Sequence, residues 1–173
     1  TIDGSSQTVE RMMLSSPTLL TAQHQFDDFV CGVDSLDDWL KKRAYANQIN
    51  GASRTYVVTD EQKVVGYYCL ASGALELKNA PASIRRNMPD PIPVAILGRL
   101  AIDKTYQGKG IGVALLQDAV IRTAKAAEIL GIRGLLVHAL SIEGKAFYEH
   151  HGFVVSPTQP MTLILSLKKL LQE

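Results

Sequence analysis

The chain has 173 residues, of which 46% are hydrophobic and 20% are charged, and its net charge is +1. This size and balance predict one globular domain, 1–173, and exclude a disordered chain. The charge is uneven, with a net −6 over residues 1–40 and +6 over residues 41–109. The middle third is therefore a candidate surface for a polyanion, although solvated basic side chains would give the same charge.

The cysteines and the apolar runs bear on where the protein acts. Cys31 and Cys69 follow no metal-ligand spacing and cannot form a disulfide framework, which favours a reducing cytoplasm and predicts no metal site. The sequence has no run of 18 apolar residues, so we expect no contact with a membrane. Residues 1–12 are polar and lack an initiator Met, and we expect them to be flexible or introduced by cloning.

The first half of the chain predicts one helix and three strands. The strands are expected at 13–21, 55–59 and 64–75, and the helix at 35–50. Pro17 weakens the first strand. Ser35 is the expected cap of the helix and Gly51 its end. The last two strands lie on either side of a short polar turn and are expected to form a β-hairpin.

The second half alternates strands and helices. Residues 76–93 contain four prolines and two adjacent arginines, so they predict a loop or short helix, a kind of segment that often serves function. Strands are then expected at 94–103, 133–140, 153–156 and 161–167, and helices at 113–130 and 141–152. Gly131 is the expected end of the first of these helices, and Ser141 the cap of the second. This order predicts an α/β fold with a mixed sheet.

A glycine-rich bend, QGKGIG at residues 107–112, lies between a buried strand and a helix. Free N–H groups and the positive end of the helix dipole favour phosphate at such a position, and glycine lets the backbone approach a ligand closely. The spacing differs from a P-loop, because Ile111 follows Gly110, and from the G-x-G-x-x-G fingerprint. A tight turn with close helix packing is the alternative interpretation.

This bend, Q-x-x-G-x-G after an apolar strand, resembles the acetyl-CoA signature of the GNAT superfamily of acetyltransferases. GKAFYEHHGF at residues 144–153 is similar to the second signature of that superfamily, A-x-x-F-Y-x-x-x-G-F, with Gly144 in place of the usual Ala. The resemblance covers about residues 55–167. It implies a GNAT fold, in which a mixed, mostly antiparallel sheet with splayed parallel strands is flanked by helices.

A narrower resemblance extends over nearly the whole chain. FVCGVDSLDDWLKKRAYANQ, RTYVVTDEQKVVGYYCLASGAL and LGRLAIDKTYQGKGIGVALLQDAVIR are similar to segments of the GNAT toxins of bacterial toxin–antitoxin pairs. The resemblance implies acetylation of the α-amine of aminoacyl-tRNA and a block of translation in the bacterial cytoplasm. It further implies a homodimer that a ribbon-helix-helix antitoxin neutralises. The chain itself shows no DNA-binding pattern, so contact with DNA is expected only through the antitoxin.

The resemblance also implies the cofactor contacts. The backbone of Leu100, Ala101 and Ile102 is expected to pair with the pantetheine arm of acetyl-CoA like an added strand. The pyrophosphate is expected at Gln107, Gly108, Lys109, Gly110, Ile111 and Gly112, and Ser141 is a further expected contact. Tyr148 matches the general acid, because an ordinary tyrosine keeps its proton at neutral pH and can supply it to a departing thiolate. An interior tyrosine with a structural role is the alternative interpretation of Tyr148.

No general base stands out in the sequence. Glu143, Glu149, His138, His150 and His151 are candidates by residue type only, and the last two are better explained as surface or capping residues. The α-amine of an esterified amino acid is weakly basic and needs little help from a base, whereas a lysine side chain needs more. This difference favours aminoacyl-tRNA as the acceptor.

Basic residues complete the predicted site. Lys41, Lys42, Arg85 and Arg86 are expected to contact the RNA, and Arg99 lies beside the pantetheine segment. A solvated loop is the alternative interpretation of Arg85 and Arg86. Two other functions compete with the toxin: a GNAT enzyme that acetylates a small-molecule amine or a protein N-terminus, and a binding protein that acts mainly with an antitoxin on operator DNA.

Overall fold

The computed structural model describes residues 13–168, in which seven strands form one mixed sheet. The sheet order is β1-β2-β3-β4-β5-β7-β6, and β4 and β5 are its parallel pair. The strands are β1 (Thr18–Leu19), β2 (Arg54–Asp60), β3 (Lys63–Leu75), β4 (Ile92–Ile102), β5 (Gly134–His138), β6 (Val154–Val155) and β7 (Thr162–Ser166). This is the expected mixed, mostly antiparallel sheet of an α/β fold.

Five α-helices flank the sheet. They are α1 (Asp34–Lys42), α2 (Ala44–Ile49), α3 (Ala82–Arg85), α4 (Ile111–Ala127) and α5 (Ile142–His150) in the described part of the chain. Two 3-10 helices, Leu77–Asn79 and Lys104–Tyr106, lie before α3 and before α4. Among these residues no helix is long and apolar enough to span a membrane.

Two apolar layers hold the helices to opposite faces of the sheet. Tyr68 and Leu135 are fully buried in the layer that packs α4 and α5. Tyr67, the strand neighbour of Tyr68, faces the other way and is buried against Trp39 of α1. On that second face, Ile84 of α3 packs beside Ile92 at the start of β4.

The parallel pair opens partway along β4. Residues from Val94 to Leu97 pair with Gly134 to Val137, and this pairing ends there. At the same point the β3–β4 register shifts, because Cys69 opposes Arg99 while the next residue of β3 opposes Leu97. Gly98 is therefore the extra residue of a β-bulge. A Cβ at Gly98 would lie 2.8 Å from the Cys69 sulfur, so any larger residue there would force the Cys69 side chain or the bulge to shift.

Four details of the predicted elements are wrong. The strand expected over 13–21 is reduced to the two residues of β1, Thr18–Leu19. The expected helix over 35–50 is two helices that meet at Arg43, whose φ of −123° and ψ of −34° leave helical geometry. Ser35 lies inside α1, whose N-cap position is Val33, so no side chain caps it. The helix α4 ends at Ala127 rather than at Gly131. The predicted cap of α5 by Ser141 is confirmed, since its hydroxyl accepts the Gly144 N–H at 3.0 Å.

Candidate active site between the splayed strands

A cavity of about 190 Å³ lies where β4 and β5 separate. Its walls come from α1 and the residue before it, from β4, from β5, from the loop between β5 and α5, and from α5. The lining residues are Val33, Leu36, Leu97, Gly98, Arg99, Leu100, Val137, His138, Leu140, Ser141, Gly144 and Tyr148. Because β4 no longer pairs with β5 beyond Leu97, this side of its backbone faces the opening and can pair with an extended ligand.

Tyr148 is the buried acid candidate of this cavity. It lies on α5 and is 8% exposed, with the rings of Phe147 and Phe153 centred 5.3 Å and 5.4 Å away. Burial raises the pKa of Tyr148 to about 12. The described residues offer its hydroxyl no hydrogen-bond partner, so the proton stays on the hydroxyl at neutral pH and is available to a ligand.

The glycine bend forms the N-terminus of α4, at the far end of β4. Gly108 and Gly110 have φ angles of 77° and 82°, which favour glycine, and Gly110 is the N-cap residue of the helix. The Ala114 N–H donates to the Gly110 carbonyl, and the N–H groups before it belong to the first turn, which has no acceptor within the helix. Lys109 adds a positive charge 5.9 Å from the ring centre of Tyr106.

The side chain of Gln107 turns away from the bend. Its amide donates to the carbonyls of Ile102 and Cys31, both at 2.9 Å. Asp103 accepts the Val30 N–H at 3.1 Å and so holds the same segment. Burial acts to raise the pKa of Asp103, but hydrogen bonds from Thr105 and Val30 outweigh it and leave that pKa lowered. These bonds fix the segment that leads into α1, and thereby place Val33 and Leu36 over the cavity.

One of the five base candidates reaches the cavity. His138 ends β5 and lines the cavity, while its Nδ1 lies 2.9 Å from the hydroxyl of the buried Thr162. The other four, which are Glu143, Glu149, His150 and His151, are not among its lining residues. In the described chain no group of three or more His, Cys, Asp or Glu side chains is arranged to hold a metal ion.

The predicted basic residues lie in three places. Arg99 lines the cavity, and its guanidinium carbon lies 4.4 Å from the ring centre of Trp39. Lys41 and Lys42 end α1, where Lys42 forms an exposed ion pair with Asp38 at 3.8 Å. Arg85 and Arg86 are exposed at the end of α3, on the same face of the sheet as α1.

A second cavity shows basic residues that sequence reasoning missed. It measures about 450 Å³ and brings Arg133 and Lys168 beside Arg86. Arg133 donates to the carbonyls of Ser83 and Ile84 at 3.2 Å and 3.1 Å, so it also holds α3 in place. Sequence reasoning also missed Val33 and Leu36 in the lining of the first cavity, because an apolar pattern predicts only that α1 packs on the sheet. It missed Trp39 too, whose ring packs against Arg99 of that lining.

The architecture and the cavity are those of an acetyl-CoA-dependent acetyltransferase. The family model for the acetyltransferase (GNAT) domain matches residues 51–155, which is more than half of the chain. The chain therefore belongs to the GNAT acetyltransferases, and it is an N-acetyltransferase that uses acetyl-CoA. The open edge of β4 fits an extended arm, and the N-terminus of α4 at the bend fits a pyrophosphate.

Comparison with individual proteins narrows the class further. The chain is 47% identical, over 89% of its length and 93% of the relative, to a tRNA-acetylating toxin of Mycobacterium tuberculosis (strain ATCC 25618 / H37Rv). It is similar to the structure of AtaT complexed with acetyl-methionyl-tRNAfMet, with a TM-score of 0.84, 30% identity and coverage of 92% and 98% of the two chains.

A further solved structure carries both a cofactor and a protein partner. It is a tyrosine-to-phenylalanine variant of AtaT bound to the C-terminus of the antitoxin AtaR and to acetyl-CoA. Its TM-score is 0.77, its identity is 30%, and the match covers 91% of this chain and 95% of that chain. The resemblance to GNAT toxins noted in the sequence is therefore confirmed at the level of whole-chain structure.

Proposed function

We propose that this protein is an N-acetyltransferase toxin that acetylates the α-amine of aminoacyl-tRNA and blocks translation. The observation that carries the proposal is the cavity at the strand splay, which places Tyr148 beside an open strand edge. The 47% identical relative named as a tRNA-acetylating toxin supports the same substrate.

The proposed roles of the site residues follow from their places. The backbone of Leu100, Ala101 and Ile102 pairs with the pantetheine arm, and Gly108 to Gly112 bind the pyrophosphate through their amides. Gln107 holds the bend in place through its side chain. Ser141 caps α5 and contributes to the cavity wall.

Tyr148 is the proposed general acid. Acetyl-CoA supplies an acetyl group activated as a thioester, so transfer to an amine forms a C–N bond, breaks a C–S bond and moves one proton from nitrogen to sulfur. A thiol has an ordinary pKa near 8.5, and burial keeps the Tyr148 hydroxyl protonated well above that value. The hydroxyl can therefore donate a proton to the departing sulfur at neutral pH.

The proposed RNA contacts come from α1 and α3. Lys41, Lys42, Arg85 and Arg86 lie on one face of the sheet, and Arg133 and Lys168 extend the basic surface around Arg86. The phosphates of an RNA strand bind such a surface electrostatically. Arg99 is separate from this surface, because it lies in the wall of the acetyl-transfer cavity.

Further partners belong to the same proposal. AtaT binds the C-terminus of its antitoxin AtaR, which supports an antitoxin partner for this chain. We infer a ribbon-helix-helix antitoxin, contact with operator DNA only through that antitoxin, and a homodimer. The site of action is the bacterial cytoplasm, where charged tRNA is found.

Labelled acetyl-CoA and purified charged tRNA test the substrate. Wild-type protein should transfer label to charged tRNA, and hydrolysis of the ester should release it as N-acetyl amino acid. Tyr148→Phe should fail to transfer label while it still binds acetyl-CoA. Label that appears only on protein N-termini or small amines would contradict the aminoacyl-tRNA substrate and favour the other kind of GNAT enzyme.

A triple charge reversal tests the RNA surface. The variant Lys41→Glu, Arg85→Glu, Arg86→Glu should bind acetyl-CoA normally but lose transfer to charged tRNA, because repulsion replaces the phosphate contacts. Lys125→Glu, on α4 at the opposite face of the sheet, is the control and should transfer normally. Normal transfer by the triple variant would show that these residues do not bind RNA.

A further inference from the structure

The wall of the acetyl-transfer cavity carries no negative charge among the residues that the structure describes. Of its twelve lining residues, Arg99 is permanently charged, and His138 and Tyr148 can titrate. A histidine such as His138 adds no negative charge, and the pKa of about 12 keeps Tyr148 neutral. The wall therefore carries a net positive charge at neutral pH.

Packing, rather than an acidic partner, holds Arg99 in this wall. Its guanidinium lies over Trp39, and the Trp39 ring stacks on Tyr67 at 6.0 Å with an angle of 11° between the planes. The Tyr67 hydroxyl donates to the Leu36 carbonyl at 2.7 Å, which ties the stack to α1. Among residues 13–168 the structure shows no ion pair to Arg99, so no bound carboxylate offsets its charge.

The other titratable groups behind this wall are neutral at physiological pH. Burial raises the pKa of Tyr67 and of the Cys69 thiol, both on β3. Burial also raises the pKa of Cys31, in the segment before α1, to about 11, and its hydrogen bond to Asp37 adds to that rise. None of these groups brings a negative charge to the cavity.

The carboxylates on the neighbouring helices lie outside the lining. Asp37 of α1 is buried, and its carboxylate accepts the Cys31 N–H at 2.9 Å. The exposed carboxylates are Asp34 and Asp38 of α1 and Glu143 and Glu149 of α5, and none of them lines the cavity. A protonated amine that entered the cavity would therefore meet the charge of Arg99 without a counter-ion in the wall.

We propose that Arg99 is a specificity-determining residue, whose fixed positive charge admits the acceptor amine only in its neutral form and so selects weakly basic α-amines. This inference rests on the proposed function for the identity of the natural acceptor. A nearby like charge lowers the pKa of an amine, by about one unit or more. At pH 7.4 about a quarter of α-amines are neutral, whereas only about one lysine side chain in a thousand is. Lysine side chains and polyamines are therefore excluded.

Small acceptors test the cavity without RNA. Leucine methyl ester offers a weakly basic α-amine and 1,4-diaminobutane a strongly basic one, and the release of CoA thiol measures transfer to either. With the ester, kcat falls as the pH is lowered, and the pH at which it reaches half its maximum is called the acid limb. In wild-type protein the acid limb should lie about one pH unit below the pKa of the free ester amine. An acid limb at or above that pKa would overturn the proposal, whatever the result with charged tRNA.

Two substitutions at Arg99 separate its charge from its packing. Arg99→Gln should move the acid limb up by about one pH unit and raise the rate with the diamine, relative to the ester, about tenfold. Arg99→Lys keeps the charge and should keep both properties of the wild type. An acid limb that Arg99→Gln leaves in place, or an equal shift in Arg99→Lys, would show that Arg99 serves packing alone.

A carboxylate added to the wall tests the same idea without disturbing the stack. Leu140 lines the cavity and Ile142 does not, although they are 71% and 70% exposed and lie two residues apart. Leu140→Glu should raise the acid limb and the relative diamine rate, and Ile142→Glu should change neither. Failure of Leu140→Glu to differ from Ile142→Glu would overturn the proposal. These assays stay informative if charged tRNA proves not to be the substrate, because they use free amines.

Discussion

The two halves of β4 differ in their pairing and in their role, although they form one strand. From Ile92 to Leu97 the strand follows the ordinary pattern of a central strand, since it pairs with β3 and, from Val94 onwards, with β5. From Arg99 to Ile102 it still pairs with β3, but the pairing with β5 has ended. Gly98 separates the two halves as a bulge.

The difference shows how a stable sheet comes to contain a reactive opening. The first half buries Ile92 and Val94 completely or nearly so, and this burial stabilises the fold. The second half leaves Arg99 and Leu100 only partly buried, because they line the cavity. Substitutions in the first half should therefore change stability, and substitutions around the second half should change catalysis.

The largest expected effect is on catalysis at the opening. Tyr148→Phe removes the proton donor, so kcat should fall about 10²- to 10⁴-fold while the free energy of unfolding changes little. Release of CoA thiol and urea unfolding measure the two quantities. Tyr45→Phe, at a partly exposed tyrosine of α2, is the control and should match the wild type in both. Similar loss of activity in both variants would remove Tyr148 from the reaction.

The two halves of β4 are compared directly by truncating one side chain in each. Ile92→Ala leaves a cavity in the fully buried first half and should lower the free energy of unfolding by about 2–5 kcal/mol, with little change in KM for acetyl-CoA. Leu100→Ala should cost about 1 kcal/mol but raise KM for acetyl-CoA. Equal losses of stability would show that the halves do not differ as the pairing indicates.

Much of this division was predictable from local sequence patterns. The order of the strands, the bend before α4 and the cap of α5 by Ser141 depend on neighbouring residues, and the structure confirms them. The match to GNAT signatures placed Tyr148 on a helix, and the structure buries it in the cavity wall. Local periodicity and capping chemistry are sufficient for these features.

The remaining features depend on contacts between distant parts of the chain. Trp39 and Arg99 are sixty residues apart, and only the packing of α1 on the sheet brings them within 4.4 Å. The break at Arg43 has no Gly or Pro to mark it, so helical periodicity continues across it in the sequence. Gly98 looks like an ordinary strand glycine until the register with β3 is known.

One added methyl group is enough to crowd the bulge at Gly98. Gly98→Ala places a Cβ 2.8 Å from the Cys69 sulfur and should cost about 1–3 kcal/mol of unfolding free energy. Because the obstacle is a side chain, adding Cys69→Ala should recover part of that cost, so the double variant is less unstable than the sum of the single losses. Strict additivity in urea unfolding would show that the contact does not limit the bulge.

On β5, opposite the paired half of β4, a Gly-to-Ala substitution meets a backbone atom instead. A Cβ at Gly134 would lie 2.7 Å from the Leu165 carbonyl oxygen, and no side-chain truncation removes that atom. Gly134→Ala should therefore lower stability without rescue by Ile164→Val, whose side chain is the next nearest group. Rescue comparable with that at Gly98 would indicate that β5 moves to accommodate the methyl group.

The smallest expected effect is at the cap that orients Tyr148. Ser141→Ala removes the acceptor for the Gly144 N–H and should lower the free energy of unfolding by about 1 kcal/mol. Since Tyr148 lies on the same short helix, fraying at its start should also lower kcat, but by far less than Tyr148→Phe does. Ser141→Asn keeps an acceptor at the cap and should recover stability, as urea unfolding would show.

If kcat recovers together with stability, the hydroxyl acts only by holding α5. If Ser141→Asn recovers stability but has a higher KM for acetyl-CoA than the wild type, Ser141 also contacts the ligand, because restoring the cap would then not restore binding.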